Sequence, residues 1–203
     1  MAETRRLGTL LFPDFELLDV CGPLEVLGVL PDHFEVVLVA EGGGAVRSFQ
    51  GQSLVADHDL DECPPLDVLL VPGGLGTRRE VENEPLLAWL REHAQAATLV
   101  MTVCTGSGLL ARSGALDGRR ATSNKRAFDW AASQGPNVEW IRRARWIDDG
   151  KFVTSSGVSA GIDMTLHVVA REIGREVAEE AAWRIEYTWH RDADVDPFVE
   201  PRR

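Results

Sequence analysis

At 203 residues, 44% apolar and 26% charged, the chain suits one soluble globular domain with a full core, and no apolar run approaches the roughly 20 residues that cross a bilayer. A formal net charge of −11 repels phosphate backbones and argues against nucleic-acid binding, the basic clusters "NKRAF" and "IRRARW" reading as solvated surface. The N-terminal stretch "MAETRRLGTLLF" lacks the apolar core and cleavage site of a signal peptide, and Cys21, Cys63 and Cys104 form neither a CxxC pair nor a disulfide framework, so a cytoplasmic setting with no membrane partner is expected.

In chain order, residues 7–12 ("LGTLLF") read as a buried strand. The stretch 19–30 has a helical rhythm from Pro23 onward, with Pro in the first turn. Residues 34–40 are a second strand, and "AVRSFQ" and "SLVADHDL" a short antiparallel excursion around Gly51. "LDVLLVPGG" (66–74) is a core strand ending in two glycines, 84–96 an amphipathic helix, and 98–103 another core strand. A short helix "GSGLLARSGAL", a helix over 124–134, and a hairpin over 145–157 with its turn at Asp149–Gly150 follow. Two helices, 160–174 and 175–189, close the domain.

Strands separated by helices predict a three-layer α/β fold. Its central sheet is mostly parallel, helices cover both faces, and the hairpin excursion is small. Residues 1–190 are expected as one domain and 191–203 as an irregular tail, polar, charged and Pro-punctuated. The five histidines show no HxH or HExxH spacing, so neither metal nor other cofactor is expected.

In such sheets, sites form at the carboxyl ends of strands. Cys104 stands where a strand hands over to a helix, as a nucleophile does on a sharp elbow. The helix N-terminus aimed at it favours a thiolate and a lowered pKa, and the Thr105 N–H points toward charge beside the sulfur. The alternative is a small buried core residue. Gly73 and Gly74 let backbone approach a ligand, and their N–H groups can complete an oxyanion hole; the alternative is a plain turn. Asp19 either caps a helix beginning near Gly22 or sits beside the thiol with a raised pKa and a proton to donate. Cys21 lacks the elbow and reads as core. Asn124 reads as the N-cap of the "KRAFDWAA" helix and Asp163 as a structural carboxylate in the first turn of its helix. The six tryptophans read mostly as core or dimer interface, with Trp189 and Phe198 placed to close over the site.

At these residues the chain resembles the ThiJ/PfpI superfamily, with its class I glutamine-amidotransferase-like, flavodoxin-like fold. "LLFPDFELLDVCGPLEVL", "LDVLLVPGG", "VMTVCTGS", "ALDGRRAT", "TSSGVSAGIDM" and "IEYTWHRDADVDPF" carry the resemblance in order along almost the whole chain. "VCTGS" is similar to the branch that contains isonitrile hydratases and the front domains of some AraC-type regulators. The resemblance implies an acid at Asp19, a nucleophile at Cys104, a neighbouring hydroxyl at Thr105, and a homodimer acting on a small molecule. Asn124 stands where this branch commonly has His, which removes the basis for Cys–His chemistry. The implied activity is hydration of an isonitrile to an N-substituted formamide. The alternative is a ligand- or redox-sensing domain working through a protein partner.

Overall fold

Residues 68–71 and 99–102 are buried at every position, a pattern that fits strands covered on both faces. The computed structural model describes residues 4–199; positions 1–3 of the expected domain and 200–203 of the expected tail lie outside the described residues. In chain order the first half holds β1 (Arg5–Leu11), α1 (Leu17–Gly28), β2 (Phe34–Ala40), β3 (Gly44–Arg47), β4 (Ser53–Ala56), β5 (His58–Asp59) and β6 (Val68–Val71). Next come α2 (Thr77–Glu80), α3 (Glu84–Ala96), β7 (Leu99–Thr102), α4 (Gly106–Arg112), β8 (Arg120–Ala121) and α5 (Phe128–Ser133). The last elements are β9 (Glu139–Trp140), β10 (Trp146–Asp149), β11 (Phe152–Ser155), α6 (Ala160–Glu172) and α7 (Arg175–Arg184).

The main sheet has the order β10-β11-β7-β6-β1-β2-β5. Every neighbouring pair is parallel except β10 with β11, the hairpin expected around Gly150. β3 and β4 form the expected separate antiparallel excursion. Alternate strand residues feed two cores. Leu69, Val71 and Val100 pack with Leu86 and Leu90 of α3 and Leu109 and Leu110 of α4. Leu70, Leu99 and Met101 pack with Val26 and Leu27 of α1, Met164 and Leu166 of α6, and Ala178 of α7. This is the flavodoxin-like three-layer arrangement. The chain leaves β1 for β2 on one side and returns to β6 on the other, so a crevice opens at the carboxyl ends of β1 and β6.

Two helix starts differ from the expectation: α5 begins at Phe128 rather than at Asn124, and α1 is displaced the other way. α1 begins at Leu17 rather than near Gly22, and Pro23 lies inside it. An interior Pro removes a backbone donor and crowds the preceding turn. Packing compensates: a Cβ on Gly22 would lie 2.8 Å from Ile162 Cγ1, and one on Gly161 would lie 3.5 Å from Pro23 Cγ, so α1 and α6 approach closely here. Asp19 is thus an intrahelical residue, and the capping reading fails. Among the tryptophans, Trp89 and Trp146 are buried, whereas Trp183 is 76% exposed.

The chain after α7 is irregular up to residue 199 but tied down. Asp163 of α6 is fully buried and receives Arg145 Nη2 at 2.5 Å and Nε at 2.9 Å. Its other oxygen accepts from His190 N at 2.8 Å and from Tyr187 Oη at 3.2 Å. Arg145 N donates to Ala193 O at 2.8 Å, and Asp196 N to Arg143 O at 2.9 Å. Asp163 is structural, as expected, because it joins α6 to this segment.

Candidate active site

The strand ends at the crevice bring together Asp19, Gly73, Gly74, Cys104 and Thr105. Cys104 stands one residue beyond the end of β7, after Val103, and its φ of 58° is the left-handed conformation of a sharp elbow. A non-glycine residue there is strained, and such strain persists only where its surroundings enforce it. Here Cys104 N donates to Ser156 O, while its carbonyl accepts from Ser107 Oγ at 3.0 Å and Ser123 Oγ at 2.9 Å.

Asp19 projects from the first turn of α1 and is fully buried. Its Oδ2 accepts from Gly73 N at 2.9 Å. The Cys104 thiol is close enough to act on this carboxyl, while Oδ1 has no partner of good hydrogen-bond geometry among the described residues. Burial pushes Asp19 well above the usual carboxylate range; the Gly73 N–H opposes this and the charge of Glu16 adds to it. The carboxyl therefore holds a proton under conditions where an exposed aspartate has lost its own.

Burial also pushes the Cys104 thiol up, with the Asp19 carboxyl adding to the effect. The Thr105 N–H and hydroxyl act the other way, because both can donate to a thiolate. This corrects the expected lowering. α4 has only seven residues, and its positive end cannot offset removal of the sulfur from water.

Gly73 and Gly74 also differ from expectation. Gly73 N is held by Asp19, and Gly74 N donates to Thr105 Oγ1 at 3.1 Å. Both N–H groups are occupied within the chain, so they fasten the site instead of facing a ligand. Thr77 Oγ1 donates to Gly74 O at 2.7 Å, and Arg78 Nη1 donates to the same carbonyl at 3.2 Å. Sequence reasoning missed Thr77 and Arg78, since the short α2 that carries them has no periodic signal. Arg78 stacks over Trp130 at 4.0 Å.

A cavity of about 820 Å³ opens beside the sulfur. Leu18, Asn124, Lys125, Arg126, Ser156, Gly157, Val158, Ser159, Pro197 and Phe198 line it, so Phe198 reaches the mouth as expected, whereas Trp189 is not among these residues. Trp189 Nε1 instead donates to Asp163 O at 3.2 Å. Among the described residues no histidine lines the cavity. Cys104 lies behind the wall, 7% exposed. Asn124 does not cap α5, whose N-cap residue is Ala127; it closes the turn before that helix. Cys21 and Cys63 are half-buried elsewhere. Among the described residues no group of three or more His, Cys, Asp or Glu comes together as a metal cluster.

The chain is similar to known proteins across this fold and site. It is 36% identical to isonitrile hydratase of Pseudomonas putida over 193 residues, which cover 95% of this chain and 81% of that protein. It is 31% identical over 177 residues to the HTH-type transcriptional regulator GbdR of Pseudomonas aeruginosa, covering 85% of this chain and 48% of the regulator. The chain thus spans about half the length of that regulator. A crystal structure of a ThiJ/PfpI family protein from Pseudomonas syringae superposes with a TM-score of 0.86 at 29% identity, covering 98% of this chain and 80% of that one. The model of the DJ-1/PfpI family matches residues 5–171, and on this match the chain belongs to the DJ-1/PfpI family.

Proposed function

We propose that this chain is a cysteine-dependent hydratase that converts an isonitrile to an N-substituted formamide. The observation that carries the reading is Cys104, a residue only 7% exposed, beside a carboxyl whose hold on its proton burial strengthens. A terminal isonitrile carbon bears no substituent and can reach such a sulfur. An amide or ester carbonyl carries groups on both sides and needs a wider approach. Among the described residues the cavity is lined without a histidine, which disfavours Cys–His hydrolysis. The similarity to isonitrile hydratase supports the same reading.

The sulfur of Cys104 bonds to the terminal carbon, and the thiol proton reaches that carbon through Asp19. The product is a thioimidate, R–N=CH–S–Cys104. Asp19, protonated again by the thiol proton it relayed, gives a proton to the imine nitrogen and takes one from water as the hydroxyl adds to carbon. Collapse forms the C=O bond, breaks the C–S bond and returns the hydroxyl proton to sulfur. One water and one isonitrile become one formamide, and the side chains are regenerated. Thr105 stabilises the sulfur while it is anionic, and Gly73 and Gly74 hold Asp19 and Thr105 in place. We place this activity in the cytoplasm, on a small molecule, in a homodimer.

Purified protein mixed with an alkyl isonitrile should release the formamide, followed by NMR, and Cys104→Ala should not. No turnover by the wild type, or equal turnover by Cys104→Ala, overturns the proposal. The similarity to the GbdR regulator favours a second reading, a sensing domain that works through a protein partner. That reading predicts a selective gain of about 32 Da at Cys104 under mild peroxide, without hydratase activity.

A further inference from the structure

The site holds Gly73 N and Gly74 N in internal bonds and bears on the sulfur with the Thr105 N–H. Those groups leave no donor for a substrate atom. Lys125 lines the cavity, but its Nζ donates to Thr122 Oγ1 at 2.9 Å, Ser123 O at 3.2 Å and Ala144 O at 2.5 Å, which engages all three of its hydrogens.

Asn124 is different. Its Oδ1 accepts from Arg126 N at 3.0 Å and from Ala127 N at 3.1 Å. Backbone N–H groups can donate only to the oxygen, so the amide orientation is settled and Nδ2 takes the other side. Asn124 lines the cavity, and Nδ2 meets no acceptor among the described residues. Gly157 shows how near it comes to the nucleophile. A Cβ on Gly157 would overlap Asn124 Nδ2 and lie 2.9 Å from Cys104 Sγ. The turn needs only the oxygen, and Asp or Ser would close it as well. The NH₂ group has no structural task.

We propose that Asn124 Nδ2 is a catalytic hydrogen-bond donor to the substrate atom that gains electron density once the Cys104 sulfur has bonded. The proposal rests on the reading of Cys104 as the nucleophile. In the thioimidate that atom is the imine nitrogen, whose lone pair accepts from Nδ2. Nδ2 keeps both of its hydrogens, so no proton is transferred, and the C=N bond is polarised toward attack by water.

Asn124→Ser tests this, because a serine hydroxyl can still close the turn but cannot present an amide to the cavity. The variant should keep the wild-type unfolding midpoint and lose about 10²-fold in kcat/KM for an alkyl isonitrile, the usual effect of deleting one such donor. Equal kcat/KM overturns the proposal. A second readout does not need hydratase activity. Acrylamide gains charge on its carbonyl oxygen when Cys104 adds to it, and intact mass follows the rate across pH. That rate should fall about tenfold in Asn124→Ser at every pH, with the half-maximal pH unchanged. An unchanged rate, or one that falls only because the half-maximal pH has moved, overturns the proposal. If the wild type turns over no isonitrile, the isonitrile reading fails and the acrylamide rates decide the role of Asn124 alone. Asn124→Asp keeps the acceptor and replaces the serine variant in both assays should that variant not fold.

Discussion

Gly73 donates its backbone N–H to Asp19 Oδ2 at 2.9 Å, across 54 residues of sequence. A Cβ on Gly73 would lie 2.9 Å from the same oxygen, 2.7 Å from Thr105 Oγ1 and 2.6 Å from Thr105 N. The glycine is what lets the first helix, the end of β6 and the elbow after β7 meet at one point. The site therefore rests on close backbone approach as much as on the side chains that do chemistry.

Gly73→Ala should destabilise the fold by about 1–3 kcal/mol, the usual cost of forcing atoms into a packed interior. Two of the three obstructing atoms belong to Thr105, one of them backbone, so the strain should fall on the elbow. Urea unfolding measures the loss. Cys104 alkylation by iodoacetamide should change in parallel, and unaltered alkylation would show that the elbow absorbs the methyl elsewhere.

Asp19→Asn keeps an acceptor for Gly73 and deletes the proton. Burial raises the folded carboxyl well above its ordinary 3.8. Between these two values the folded chain binds a proton that the unfolded chain has released. Wild-type stability from this group is thus full below the unfolded value and declines as pH rises toward the folded one. The variant lacks this decline. Urea unfolding from about pH 4 to about pH 7 should show the wild type losing stability relative to Asp19→Asn, and parallel profiles would contradict the assignment. Turnover of an isonitrile should drop by about 10²–10⁴-fold, the contribution of a positioned proton donor.

Thr105→Val removes the hydroxyl that accepts from Gly74 N and acts on the sulfur. Leaving a buried N–H unpaired should cost about 1–3 kcal/mol. The thiol loses a group that favours its anion, so its pKa should climb further. Iodoacetamide rates plotted against pH should shift to higher pH, and an unshifted curve would remove Thr105 from the account.

Arg145→Met strips Asp163 of its buried cation. Breaking a buried pair from one side costs about 3–5 kcal/mol, because the remaining charge is left uncompensated. The segment from Tyr187 to Asp196 bonds to both partners and should loosen with it. Hydrogen exchange should rise at His190 and Asp196, whose N–H groups are tied there.

The elements that sequence marks most clearly are the ones with strong local chemistry. The apolar strand before Cys104 predicts the elbow, and Gly150 after Asp149 predicts the hairpin turn. The start of α1 was not legible. Pro23 reads as an opening residue by propensity, and only contact with Gly161 and Ile162 of α6 makes an interior Pro tolerable. Nor was α2 legible, with four residues and no period to recognise.

The sequence by itself determined the core strands and the longer helices, the elbow cysteine, the acid after the first strand and the paired glycines after β6. These follow from periodicity and backbone freedom, which are local. Tertiary structure alone decided that the Cys104 thiol is pushed up rather than down, that the Gly73 and Gly74 N–H groups are already engaged, and that Asn124 lines the cavity while its Oδ1 closes a turn. Desolvation sums over every atom packed around the sulfur, and a hydrogen bond needs two groups brought together from distant positions. Both quantities exist only once the chain has folded.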